Sequence, residues 1–141
     1  MRAVLDTSVL VAAVRSPTGA SKALLDAALS GKMEILISTA LALEYEAVLT
    51  RPEHLRVAGY SREEIQVLLD AICEAGTRVT VRWHWRPQLH DPNDEMVLET
   101  AINGYANAIV TFNRTDFIHA GKHFGLKVLS PREALERMVI Q

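Results

Sequence analysis

Short apolar runs alternate along this chain with longer stretches in which apolar residues recur at helical spacing. Runs of three or four apolar residues are typical of buried strands, and we predict strands near residues 2–6, 34–37, 78–83, 108–111 and 127–129. Strands that are separated by helices form parallel sheets covered on both faces. The sequence therefore predicts an α/β protein with a central parallel sheet.

Capping signals locate the helices between these strands. Ser38 or Thr39 can cap a helix that ends before Pro52. Further helices are predicted over residues 9–14 and 20–30 and after Ser61 and Ser130, each of which has a glutamate three residues later.

Length and charge narrow the possible functions. A chain of 141 residues is predicted to form one domain, 1–141, with its own core. The net charge of −2 excludes a strongly basic nucleic-acid binder, so binding of a polyanion needs a local patch or a metal. A single cysteine excludes an intramolecular disulfide. With no targeting or membrane segment in the sequence, we expect a soluble cytoplasmic protein.

Four acidic residues are candidates for a common site. Asp6 closes the first strand, Glu44 lies about two turns into the helix after the second, and Asp116 follows the strand that ends at Thr111. The carboxyl ends of parallel strands meet at one edge, where ligands bind. Asp94 opens the helix before that last strand, so topology determines its position less well.

Clustered carboxylates repel one another, which indicates what they bind. At about 5 Å and an effective dielectric of about 20, each pair costs roughly 3 kcal/mol. A divalent cation removes that cost, and oxygen ligands favour Mg²⁺ or Mn²⁺ over zinc. Such a hydrated cation is suited to phosphodiester hydrolysis.

Four segments, in order along the chain, resemble the motifs of PIN-domain nucleases. They are DTSVLV at 6–11, Ser38 with LEY at 43–45 and VLTRP at 48–52, DPNDE at 91–95, and IVTFNRTDF at 109–117. Any one of them is weak, but the resemblance covers nearly the whole chain.

The resemblance is closest to VapC-like toxin components of toxin–antitoxin pairs. It implies a three-layer α/β/α sandwich and a Mg²⁺- or Mn²⁺-dependent endoribonuclease that acts on RNA. It also implies a homodimer with a cognate antitoxin. The residues it assigns to metal binding and catalysis are Asp6, Glu44, Asp94 and Asp116. Ser8 would support them, while Asn113 stands where many relatives carry another acid, and Asp91 or Glu95 is an alternative to Asp94.

Simpler roles remain open for these residues. Asp6, Asp91 and Asp94 can cap or charge the start of a helix, since acids are favoured there. The chain can also be a PIN fold that binds RNA or a protein without catalysis.

Two histidine patterns offer other interpretations. His119 and His123 have metal-ligand spacing, but Gly121 lies between them and no helix is predicted there. His84, between Trp83 and Trp85, is suited either to stacking on RNA bases or to packing.

Overall fold

The computed structural model describes residues 1–84, 89 and 91–140. Within these residues one sheet has five strands: β1 (Arg2–Leu5), β2 (Glu34–Ile37), β3 (Thr77–Arg78), β4 (Ala108–Val110) and β5 (Lys127–Leu129). Their order is β3-β2-β1-β4-β5, and every neighbouring pair is parallel. The three central strands β2, β1 and β4 are apolar and buried except for the first residues of β1 and β2, as expected where helices cover both faces.

Helices flank the sheet and complete the predicted three-layer α/β/α sandwich. They are α1 (Thr7–Arg15), α2 (Ala20–Leu29), α3 (Thr39–Leu49), α4 (Pro52–Ala58), α5 (Arg62–Ala75), α6 (Pro92–Asn103), α7 (Arg114–Phe124) and α8 (Pro131–Ile140). Ser38 is the residue that caps α3, and Ser61 forms the predicted capping box of α5. Among the described residues, no helix has both the length and the apolar character needed to cross a bilayer.

The third strand is shorter than the sequence predicts. It ends at Arg78, not at residue 83, because its partner β2 ends at Ile37. The Val79 amide donates to the Ile37 carbonyl, and the chain then leaves the sheet. Farther on, the amides of Arg82 and Trp83 donate to the side chain of Asn103.

Two helices were not predicted. Pro52 does follow the end of α3, but it is also the first residue of α4, a position that suits proline. Helix α7 runs through Gly121 and stops only at Gly125, whose φ of 71° is left-handed. A Cβ at Gly121 would lie 2.9 Å from the Leu126 carbonyl oxygen. Gly121 is therefore a close-packing position and does not interrupt the helix.

The order in which the strands are connected reverses at one place in the sheet. From β1 the chain builds outward through β2 to β3, then crosses back to β4 on the other side of β1. The order thus reverses between β1 and β4. In open α/β sheets, ligands bind at such a switch point, outside the carboxyl ends of the strands.

Candidate active site

Asp6 and Thr111 are the residues that follow β1 and β4 at this switch point. The Asp6 amide still donates to the Val110 carbonyl, and the Thr111 amide to the Leu129 carbonyl, both at 2.9 Å. The ladder therefore fixes the backbone of both residues. Their side chains lie at the carboxyl edge of the sheet.

The Asp6 carboxylate is buried and held by two hydroxyls. It is 7% exposed, and its Oδ2 accepts hydrogen bonds from Ser8 Oγ at 2.8 Å and from Thr111 Oγ1 at 2.7 Å. Asp6 occupies the N-cap position of α1, but its side chain makes no capping bond. Helix capping therefore does not account for this aspartate.

Thr111 was not identified as a site residue from the sequence. It is fully buried, and besides donating to Asp6 its hydroxyl accepts from the Asn113 amide at 2.9 Å. One side chain thus orients the acid that follows β1 and the start of the loop that leads to α7. A threonine directly after a buried strand, at the edge where the acids gather, is the signal that could have found it.

Glu44 is carried into the same region by α3. The hydroxyl of the neighbouring Tyr45 is buried and donates to the Leu5 carbonyl at 2.5 Å, which ties α3 to the end of β1. Glu44 is half-buried, and burial raises the pKa of its carboxyl. The charges of Asp91 and Asp6 raise this pKa further, while Arg51 opposes the shift.

Asp94 is the most perturbed of the predicted acids. Its pKa is raised to about 7, first by burial and then by the charges of Asp6, Asp91 and Asp116. The residue is 9% exposed, and its buried Oδ2 has no hydrogen-bond partner in the part of the chain that the structure describes. A buried carboxylate oxygen without a partner is costly. This oxygen is thus a candidate ligand atom for a cation.

Asp116 approaches this group from α7. It is half-buried in the first turn of the helix, where Asn113 Nδ2 donates to its Oδ2. The nearby Arg114 is engaged elsewhere, in an ion pair of 3.0 Å with Glu133. Asn113 therefore orients Asp116 within the acidic group.

A match to a family model accompanies this geometry. Residues 2–115 match the model described as the PIN domain. The chain belongs to the PIN domain family. PIN domains are generally nucleases, which agrees with acids gathered at the switch point of this sheet.

A solved structure has the same PIN fold. The chain is similar to one in the crystal structure of VapBC2 from Rickettsia felis bound to a DNA fragment from their promoter, with a TM-score of 0.60. The two are 17% identical, and the alignment covers 92% of this chain and 98% of the other. At that identity the likeness shows the fold. Among curated protein sequences, none matches this PIN domain.

The predicted acids of this PIN domain differ in which neighbouring charges act on them. Besides burial, the charges of Asp6, Asp91 and Asp116 raise the pKa of Asp94. The pKa of Glu44 is raised by burial and by the charges of Asp91 and Asp6. Glu95 has another contact, because its Oε1 accepts from the Leu89 amide at 2.9 Å. Among the described residues, no group of three or more His, Cys, Asp or Glu side chains is arranged so that it could hold a metal ion.

The histidine patterns have separate explanations in this fold. His119 and His123 do lie on a helix, α7, contrary to the prediction, but both are exposed. His84 contacts the buried carboxylate of Glu99, so it is partnered within the PIN domain. Trp83 is 62% exposed, and Trp85 lies outside the described residues.

Proposed function

We propose that this PIN domain is a Mg²⁺- or Mn²⁺-dependent endoribonuclease. The observation that carries the proposal is the buried Oδ2 of Asp94, which has no hydrogen-bond partner among the described residues. It belongs to a carboxylate whose pKa is raised by burial and by the charges of Asp6, Asp91 and Asp116. A divalent cation would satisfy this oxygen and offset the repulsion between the acids.

The donor set fits such a cation chemically. Asp6, Glu44, Asp94 and Asp116 offer only carboxylate oxygens, which suit Mg²⁺ and Mn²⁺. Both hydroxyls that hold Asp6 donate to Oδ2, so among the described contacts Oδ1 is left for a ligand. A bound divalent cation supplies a water of lowered pKa and neutralises charge on the phosphodiester.

The chain's own residues fix the geometry of the reaction. Ser8 and Thr111 set the direction of the Asp6 carboxylate, and Asn113 sets that of Asp116. The Tyr45 hydrogen bond holds α3, and with it Glu44, against the end of β1. Preorganised ligands of this kind lower the barrier because they do not need to reorient during the reaction.

The likeness to VapBC2 and the VapC-like motifs support a more specific role. We infer that the chain is the toxin component of a toxin–antitoxin pair, with an antitoxin protein as partner and RNA as substrate. A cytoplasmic homodimer is the state that accords with these motifs. An antitoxin encoded in the adjacent reading frame is the expected observation.

Cleavage of a mixed RNA pool tests the enzymatic part. The wild type is expected to cleave with Mn²⁺ and to stop with EDTA, while Asp6→Asn reduces the rate by about a hundredfold or more. Asp70→Asn is a matched control because Asp70 is exposed on α5. Cleavage that persists in EDTA, or that Asp6→Asn retains in full, would show that the activity has another source.

A binding module without catalysis is the second candidate. It is favoured by the absence, among the described side chains, of a group already arranged to hold a metal. The discriminating measurement is the melting temperature with and without Mn²⁺. A rise in the wild type that Asp94→Asn abolishes supports the nuclease, and no rise together with no cleavage supports the binding module.

A further inference from the structure

A groove lies at the carboxyl edge of the sheet, beside the residues that follow β4 and β5. It encloses about 280 Å³ between the end of α1, the start of α2, the loop after β4 and the start of α8. Its lining includes Gly19, Ser21, Phe112 and Arg132. Phe112 directly follows Thr111, whose hydroxyl holds Asp6. The groove and the acids therefore lie on the same carboxyl edge of the sheet.

The start of α2 faces this groove without a cap. The N-cap residue is Gly19, which has no side chain to accept from the first-turn amides, and the first turn carries no acid. The start of α8 differs, because Ser130 and Glu133 cap each other's amides there. An uncapped helix start has free N–H groups and a partial positive charge, which favour an anion.

A second observation at this place also indicates a ligand. Ser21 lies in the first turn of α2 and is 2% exposed, and its Oγ has no hydrogen-bond partner among the described residues. Buried hydroxyls are nearly always paired. A hydrogen-bond acceptor that enters the groove would give the Ser21 hydroxyl a partner.

The remaining lining residues define the chemistry of that ligand. Phe112 exposes 57% of its surface, which is unusual for a phenylalanine. Arg132 is exposed and forms no ion pair within the described part of the chain. None of the described residues that line the groove is acidic. An aromatic face beside an anion-binding helix start and an arginine matches a nucleobase and its phosphate.

We propose that this groove binds the nucleotide next to the cleaved phosphodiester of a single-stranded RNA. The base stacks on Phe112, while the phosphate lies at the start of α2 and contacts Ser21 and Arg132. This proposal rests on the proposed function for its substrate. It adds positioning residues outside the acidic group, one of which, Arg132, lies beyond the segment matched by the family model.

Equilibrium binding tests the groove without the catalytic reaction. The probe is a fluorescein-labelled single-stranded RNA of about ten nucleotides, measured by anisotropy in EDTA at low salt. Phe112→Ala should weaken binding at least fivefold, as expected for the loss of one stacked base. Arg132→Gln should weaken it and lower the salt slope by about 0.7, the value for one phosphate contact on a single strand.

Matched controls exist on the same molecule. Tyr105→Ala removes an aromatic ring that is 84% exposed and precedes β4, at the opposite edge. Arg137→Gln removes an exposed arginine from the last turn of α8. Both should leave the affinity unchanged. Equal affinities for all four variants and the wild type, or no RNA binding by the wild type, would overturn the proposal.

A variant with its own carboxylate at the start of α2 distinguishes a loss of RNA binding from a loss of stability. Ala20→Asp places a carboxylate in the first turn of α2, where it should raise the melting temperature through the helix dipole. The same charge should weaken RNA binding by at least as much as Arg132→Gln. Unchanged RNA affinity in this variant counts against the groove.

The proposed RNA-binding groove and the proposed nuclease activity can be contradicted independently. If Asp6→Asn abolishes Mn²⁺-dependent cleavage while Phe112→Ala and Arg132→Gln leave both RNA affinity and KM unchanged, the groove is wrong and the nuclease stands. If these two variants weaken binding but the wild type cleaves no RNA with any divalent ion, the groove stands and the nuclease is wrong.

Discussion

The Tyr45 hydroxyl donates a hydrogen bond of 2.5 Å to the carbonyl oxygen of Leu5. Leu5 is the last residue of β1 and precedes Asp6, while Tyr45 follows Glu44 on α3. A buried hydrogen bond thus links the end of β1, which Asp6 follows, to the helix that carries Glu44. Burial raises the pKa of Tyr45 far above its ordinary value, so the hydroxyl stays protonated and remains a donor.

Tyr45→Phe is expected to lower both stability and activity. The substitution keeps the ring but leaves the Leu5 carbonyl without this donor, which should cost about 1–3 kcal/mol of unfolding free energy. RNA cleavage should fall because Glu44 is then less firmly placed. Urea unfolding and initial cleavage rates measure the two effects. Tyr60→Phe, at an exposed tyrosine, should change neither; a Tyr45→Phe protein with wild-type stability and rate would contradict this role.

Thr111→Val tests whether the threonine positions Asp6. Valine keeps the shape but removes the hydroxyl that donates to Asp6 Oδ2 at 2.7 Å. We expect a loss of about 1–3 kcal/mol in stability, because a buried hydrogen bond is lost. We also expect roughly a tenfold drop in kcat, with KM for RNA little changed.

Thr111→Ser supplies the control for that variant. Serine restores a hydroxyl at the same position, so kcat should recover even if some packing is lost. A serine variant as slow as the valine variant would mean that the methyl group matters and the hydrogen bond does not.

Much of the fold was predictable because it depends on local patterns. The apolar runs at β1, β2, β4 and β5 identify buried strands directly, and the alternation with helices makes them parallel. The length of strand β3 was overestimated because it is set by where β2 ends, at Ile37, which pairs with the distant Arg78. Gly121 was misinterpreted for a similar reason, since only its tertiary contact with Leu126 explains it.

The candidate site was less predictable from the sequence than the fold. Topology predicts that Asp6, Glu44 and Asp116 lie at one edge of the sheet, whereas it determines the position of Asp94, at the start of a helix, less well. Tyr45 could not be singled out, because its role is a hydrogen bond from α3 to the Leu5 carbonyl at the end of β1. Such contacts leave no periodic signal in a sequence.

Gly121→Ala is expected to destabilise the protein. The added Cβ would lie 2.8 Å from Val128 Cγ2 and 2.9 Å from the Leu126 carbonyl oxygen, closer than such atoms approach. Relief needs a shift of α7 against the segment that leads into β5, at a cost of about 1–3 kcal/mol. Helix propensity favours alanine by only about 1 kcal/mol, so the clash should dominate. Thermal unfolding decides the sign, and a variant more stable than wild type would refute this packing.

Asp94 should give the metal-free protein a specific dependence of stability on pH. Its folded pKa of about 7 lies above the ordinary value of 3.8. Near pH 4 the folded state holds a proton on Asp94 that the unfolded state begins to lose. The stability contributed by this proton therefore decreases as the pH rises from about 4 to about 7.

Asp94→Asn isolates this contribution because asparagine does not titrate. Urea unfolding in EDTA at several pH values between 4.5 and 7.5 gives the difference in unfolding free energy between the two proteins. The wild type should lose stability relative to Asp94→Asn as the pH rises. Mn²⁺ should restore the wild type, and not the variant, above pH 7, because a cation replaces the lost proton as the partner of the carboxylate. A difference that stays constant with pH would show that Asp94 is already ionised in the folded protein, and its unpartnered oxygen would then need another explanation.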